Sequence, residues 1–117
     1  MAIQINATLH HSGVTITTGS LLTCDFANRR TIPVTGADPI RNVEYGLYLS
    51  KNQAEYLANP SSIIGSVDEF PSNYVKSITP DEYTALLANG ALAEVWLKDW
   101  LETFVGVGNC TIIDPFV

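Results

Sequence analysis

The residues able to do chemistry in this chain are few and scattered. Both histidines stand together as His10-His11, and the two cysteines, Cys24 and Cys110, lie far apart. A metal cluster built from His10, His11, Cys24 and Asp25 requires adjacent residues to point the same way. On a strand they face opposite sides, so the two imidazoles are not expected to share an ion. A Cys–His nucleophile pair needs a thiol beside an imidazole and a third, orienting group. No local motif of that kind surrounds either cysteine.

Two carboxylate pairs, Asp68-Glu69 and Asp81-Glu82, have the type for general acid/base work. Each has a structural reading that serves it better. Asp81 and Glu82 follow Thr79-Pro80, a helix-start signature in which first-turn acids complement the macrodipole. Asp68 and Glu69 close an extended run before Pro71. The glycine-rich Gly106-Val107-Gly108-Asn109 follows a helix instead of preceding one, so it reverses the chain and does not cradle a phosphate. No catalytic residue, cofactor or metal ligand is assigned from the sequence.

Half of the six cations, Arg29, Arg30 and Arg41, fall close together, which suits either an ordinary solvated loop or contact of an arginine pair with an acidic partner surface. Six Lys and Arg against twelve Asp and Glu leave a formal net charge of −6, a field that opposes binding of nucleic acid. At 46% hydrophobic and 15% charged, the chain of 117 residues is too apolar for disorder and too interrupted for a membrane span. A single packed domain over residues 1–117 is expected, with no nucleic acid or membrane partner. Ordinary domains carry about 25% charged residues. The shortfall fits either a Ser/Thr/Asn surface or a subunit covered by neighbours.

The N-terminus has neither a basic start nor a long apolar run, so no signal segment is expected. In a reducing cytosol both thiols are expected to be free and buried. A bond between them would close a long loop worth roughly 4–5 kcal/mol.

The elements that would position these residues alternate first and then turn helical. Ile3, Ile5, Ala7 and Leu9 alternate with polar residues. His11-Ser12-Gly13 turns the chain, and residues 14–17 and 20–26 continue as extended runs. The polar Asn28-Arg29-Arg30 predicts a loop, residues 31–34 a short edge segment, and residues 35–39 a turn. Val43, Tyr45, Leu47 and Leu49 mark the clearest strand. Ser50 is a candidate cap for a short helix over 52–57, which Asn59-Pro60 stops. Residues 61–70 and 74–78 read as extended. Thr79-Pro80-Asp81-Glu82 starts a helix that Asn89-Gly90 ends, with Gly90 suited to the left-handed C-terminal conformation. A longer helix from Ala91 carries Leu92, Trp96, Trp100 and Phe104 at spacing of four, and burial of its three aromatics would contribute roughly 2–3 kcal/mol each. Residues 110–113 return as a strand. Strands first and helices last predict an α+β fold: a mainly antiparallel sheet or sandwich over the first two thirds, with two C-terminal helices on one face.

The order of these features, from Val43-Glu44-Tyr45-Gly46-Leu47 through Thr79-Pro80-Asp81-Glu82-Tyr83 to Glu94-Val95-Trp96-Leu97-Lys98-Asp99-Trp100 and the Val-Gly-x-Gly-Asn turn, resembles small structural proteins of tailed bacteriophages and prophages. The resemblance covers residues 43–113 and brings no catalytic residues with it. It implies a non-enzymatic virion subunit in the head-to-tail connector, tail or capsid, present in symmetric copies, assembled in the host cytoplasm and bound to itself and to other virion proteins. The alternative is a small cytosolic adaptor module that binds a protein or a ligand. Expected interface residues are Ile3, Ile5, Arg29, Arg30, Arg41, Pro115, Phe116 and Val117. Residues 2–22 contain no Asp, Glu, Lys or Arg. Edge strands normally carry charge, so this stretch is expected either inside the sheet or paired with another chain.

Overall fold

The alternation at Val43, Tyr45, Leu47 and Leu49 builds the strand on which the molecule is organised. A computed structural model describes residues 2–31, 39–114 and 116. In chain order the elements are β1 (Ala2–Ile5), β2 (Leu9–His11), β3 (Val14–Ile16), β4 (Ser20–Thr31), β5 (Ile40–Ser50), α1 (Gln53–Ala58), β6 (Asn73–Ile78), α2 (Pro80–Ala88), α3 (Leu92–Val105) and β7 (Cys110–Ile113). Five strands form one antiparallel sheet in the order β6-β5-β4-β1-β7, and β2 and β3 form a separate hairpin. This is the expected α+β fold, with the last two helices at the C-terminal end.

Opposed residues in a sheet share a face. Leu22 opposite Leu49, Cys24 opposite Leu47 and Phe26 opposite Tyr45 therefore define one inner face. Ile3, Ile5, Val43, Leu47, Leu49, Tyr74 and Ile78 meet Leu86 of α2 and Ala93, Leu97 and Leu101 of α3 in a single core. The outer face carries Asp25, Arg29, Glu44, Gly46 and Tyr48. The Tyr48 ring folds back over Gly46, where an added Cβ would meet its hydroxyl at 3.3 Å.

The uncharged N-terminal stretch is interior. β1 lies between β4 and β7, and Ile3 and Ile5 are fully buried. They are core residues, which corrects their expected role at an interface. The single strand expected through Leu9 breaks after Ile5, so that Leu9 leaves the main sheet and packs from the β2–β3 hairpin. That hairpin turns through Ser12 at φ 51° and Gly13 at φ 81°, the paired positive angles a tight two-residue turn needs.

The loop expected at Asn28-Arg29-Arg30 is strand. Continuous pairing with β5, from Leu21 opposite Ser50 to Thr31 opposite Ile40, overrides its polar composition. The turn expected over 35–39 lies, apart from Pro39, outside the described residues, as do residues 32–34 of the expected edge segment, Pro115 and Val117.

Three local expectations are also corrected. Asn52, not Ser50, caps α1, its Oδ1 accepting the Glu55 N–H at 2.8 Å; Ser50 ends β5 with a buried side chain. Residues 61–70 contribute only the bridge from Ile64 to Leu49. Gly90 does not adopt a positive φ, because Asn89 ends α2 in an extended conformation. The Thr79 signature holds in full as a capping box, with Glu82 N–H to Thr79 Oγ1 at 3.1 Å and Thr79 N–H to Glu82 Oε1 at 3.0 Å.

The α3 stripe is rotated from the expected one. Ala93, Leu97 and Leu101 face the sheet, while Trp96 and Trp100 sit at its border and Phe104 is 45% exposed. The small Ala93 lets the helix approach closely, and the broad rings cover the sheet rim. Trp100 packs on Tyr74 at 5.0 Å, and Lys76 Nζ lies 5.3 Å from the Trp96 ring.

Ser20 and Ser50 are fully buried, and their hydroxyls have no hydrogen-bond partner among the described residues. A buried unmade hydrogen bond costs about 1–3 kcal/mol. Ser50→Ala is therefore expected to raise stability by about 1 kcal/mol, read as a higher urea midpoint at unchanged slope.

Candidate functional site

β4 and β5 run paired over eleven positions, the longest strand pairing among the described residues. The principal extents are 49 × 30 × 28 Å and the radius of gyration is 15.7 Å, against roughly 13 Å for a compact chain of this length. On the inner side the far half of this ribbon is covered by α2 and α3 through Val43, Tyr45 and Ile78. Its β4 rail, from Asp25 to Thr31, is exposed at every residue but Ala27.

This rail gathers the expected arginines. Arg29 is exposed and reaches Glu44 at 2.6 Å. Arg30 is exposed, and among the described residues it has no carboxylate partner. Arg41, opposite Arg30 on β5, is half-buried, with its guanidinium 3.7 Å from the centre of the Tyr83 ring. Stacking on an aromatic face fixes the planar cation without neutralising it. Phe116, the described part of the expected C-terminal contact, is 73% exposed and packs against Tyr56 of α1 at 6.1 Å. The arginines thus share one end of the ribbon, and the tail belongs to a different surface beside α1.

The aromatic residues on the inner face form a feature that the sequence reading missed. Phe26 lies 5.2 Å from Tyr45, Tyr45 6.5 Å from Tyr74, Tyr74 5.0 Å from Trp100, and Trp100 5.0 Å from Phe104. Both ends of this row, Phe26 at 50% and Phe104 at 45%, stand half in solvent. Phe26 falls on the alternation of β4, but Cys24 and Phe26 signal an inner face only once β4 is known to reach past Arg30.

Beside Phe26 is a small cleft lined by Cys24, Tyr45, Gly90 and Glu94. Burial pushes the Cys24 thiol up to about 12, and the nearby Asp25 and Glu94 carboxylates add to the effect. Burial likewise pushes Cys110 up to about 11. Both cysteines are free. Thiols held protonated are poor nucleophiles, and neither histidine is among the groups acting on them.

The histidines are structural fasteners. His10 binds Glu69 twice, through its backbone N–H at 3.0 Å and its Nδ1 at 2.5 Å, and His11 Nδ1 meets the Ser66 carbonyl. They tie the β2–β3 hairpin to the segment before Phe70. Nothing in the sequence couples His10 to Glu69, which stands 59 residues away. Under that segment lies an apolar cavity of about 210 Å³, bounded by Leu22, Leu49, Ile64, Val67 and Phe70. That is below the roughly 300–1,000 Å³ of ordinary ligand pockets. Among the described residues no group of three or more His, Cys, Asp or Glu is placed to hold a metal ion, and no helix is long and apolar enough to cross a membrane.

Three carboxylates are held below their ordinary range. Glu102 is lowered by the Gly108 backbone N–H at 2.6 Å and then by Lys98 at 3.3 Å. Glu82 is lowered by the Thr79 N–H and then by Lys76 at 3.2 Å. Partial burial pushes Glu69 up, but the two His10 bonds outweigh it and the net shift is down. A carboxyl with a depressed folded-state pKa stabilises fully above its unfolded value, near ~4.3 for Glu. The contribution is lost as pH falls through the folded value. Stability is therefore expected to be insensitive to these groups at neutral pH and to drop steeply below the ordinary carboxylate range. Glu102→Gln makes that drop shallower in urea titrations at a series of pH values.

No family model matches the chain, no curated protein matches it, and no solved structure matches it.

Proposed function

We propose that the chain is a non-enzymatic structural subunit of a tailed-bacteriophage virion, placed in the head-to-tail connector, the tail or the capsid-associated layer. It works through protein–protein contacts with copies of itself and with other virion proteins, in the host cytoplasm during assembly and then in the particle. The observation that carries this reading is the exposed β4 rail. Among the described residues no strand pairs with the β4 edge beyond Thr23, so neighbours can contact Phe26, Arg29 and Arg30 there without rearrangement of the core. Arginine and aromatic residues are the types that dominate protein interfaces. The protonated thiols and the histidines tied to Glu69 and Ser66 favour a scaffold over a catalyst.

The test is mass spectrometry of purified particles produced from the genome that encodes the chain. The expected result is the chain in many copies per particle, with portal, capsid or tail genes as its genomic neighbours. Particles that lack it overturn the reading.

A further inference from the structure

Among the described residues the sheet has an edge that no other strand covers. β1 pairs with β4 only as far as Thr23, while β5 continues along the other side to Thr31. Residues 25–31 of β4 therefore pair with β5 alone among the described residues, and they present a row of backbone donors and acceptors seven residues long. The other edges are poorer. β7 has four residues and β6 has six.

We infer that residues 25–31 of β4 pair antiparallel with the same residues of a second copy of the chain, about a two-fold axis at Asn28, making one continuous sheet across two subunits. The register centred on Asn28 uses the whole open stretch, and the partner's strand ends its pairing where β1 begins. A two-fold contact of this kind is closed and self-complementary.

The side chains complement one another in this register. On the inner face the partner's Arg30 falls opposite Phe26, which is half exposed and borders the cleft that holds Glu94. A guanidinium there meets an aromatic face and a carboxylate together. Among the described residues neither Arg30 nor Glu94 has an ion-pair partner within its own chain. On the outer face Asp25 falls opposite the partner's Thr31 and diagonal to the partner's Arg29, within reach of a long side chain. Arg29 is already balanced by Glu44 at 2.6 Å, so its two copies do not meet as bare charges. Asn28 meets its own copy, and an amide that both donates and accepts can bond to itself across the axis.

The inference rests on the assembly reading above and names one contact within it. The two fail separately, because self-association is read on the purified chain and particle membership is not.

The experiment is sedimentation velocity on the intact chain over a concentration series, comparing wild type, Arg30→Glu, Glu94→Arg and the double charge swap. A dimer is expected for wild type, weakened at least about tenfold by Arg30→Glu and recovered in the double variant. Circular dichroism confirms that the exposed Arg30 position tolerates the change. Mild oxidation supplies the second arm. Directly opposed residues lie ~4.5–5.5 Å apart at Cβ, so Asn28→Cys is expected to yield a disulfide-linked dimer and Ala27→Cys, which falls opposite the partner's Arg29, is not. A wild-type chain that stays monomeric at every concentration overturns the inference. So does a dimer indifferent to Arg30→Glu, or cross-linking at Ala27→Cys as efficient as at Asn28→Cys.

Discussion

Leu97→Ala is expected to lower the stability of the chain by about 2–5 kcal/mol, the range for truncating a fully buried leucine that leaves a cavity. Leu97 is 0% exposed and lies at the centre of the ridge that α3 presses on the sheet, flanked by Ala93 and Leu101. A domain of this size is stable by about 5–15 kcal/mol, so one truncation removes a large share. The contrast is Phe104→Ala on the same helix. Phe104 is the larger side chain, but at 45% exposure it gives up less buried area and leaves no enclosed void. The expected order, with Leu97→Ala well below Phe104→Ala in urea midpoint, reverses the order that the spacing of the aromatic residues predicts.

Ile3→Ala carries the second large effect, again about 2–5 kcal/mol. Ile3 is fully buried in β1, opposite Leu22 on one side and Ile112 on the other. Its loss weakens the join between the first strand and the last. The informative comparison is solution size. Ile3 is a core residue, so the variant is expected to unfold at lower urea while sedimenting, below that midpoint, like wild type. A change in association at unchanged stability would return Ile3 to an interface.

These two positions also show how far the sequence can be read. The alternation of Ile3 and Ile5 announces a strand buried on one face, and the absence of charge through Leu22 narrows its place to the interior or a paired edge. The interior position was decided by β7, which closes the sheet from the far end of the chain, and a contact at that separation has no local signature. The Thr79-Pro80-Asp81-Glu82 signature was fully legible because its hydrogen bonds span three residues. The stripe on α3 was legible as apolar but not in direction: Leu92, Trp96 and Trp100 and the ridge of Ala93, Leu97 and Leu101 lie side by side, and only packing against the rest of the core chooses between them.

The candidate surface divides in the same way. Arg29 and Arg30 were visible as a cationic pair, but their polarity argued for a loop, and it is the pairing with β5 that makes them a strand edge. Phe26 and Glu94 gained significance from the cleft they share, to which β4 and α3 contribute from distant parts of the chain. Arg41 carries the charge expected of a contact residue and is also fixed on Tyr83, a partner 42 positions away in the sequence.

The claim that this chain acts by assembly is tested most directly by complementation. On the proposed reading of the chain as a virion subunit, phage carrying a deletion of the gene are supplied in trans with wild type or with the Arg29→Glu, Arg30→Glu double variant, and infectious particles are counted. Wild type is expected to restore the yield, and the folded double variant is expected to leave it near the level of the deletion. Full yield from the deletion alone, or equal rescue by both chains, contradicts the account.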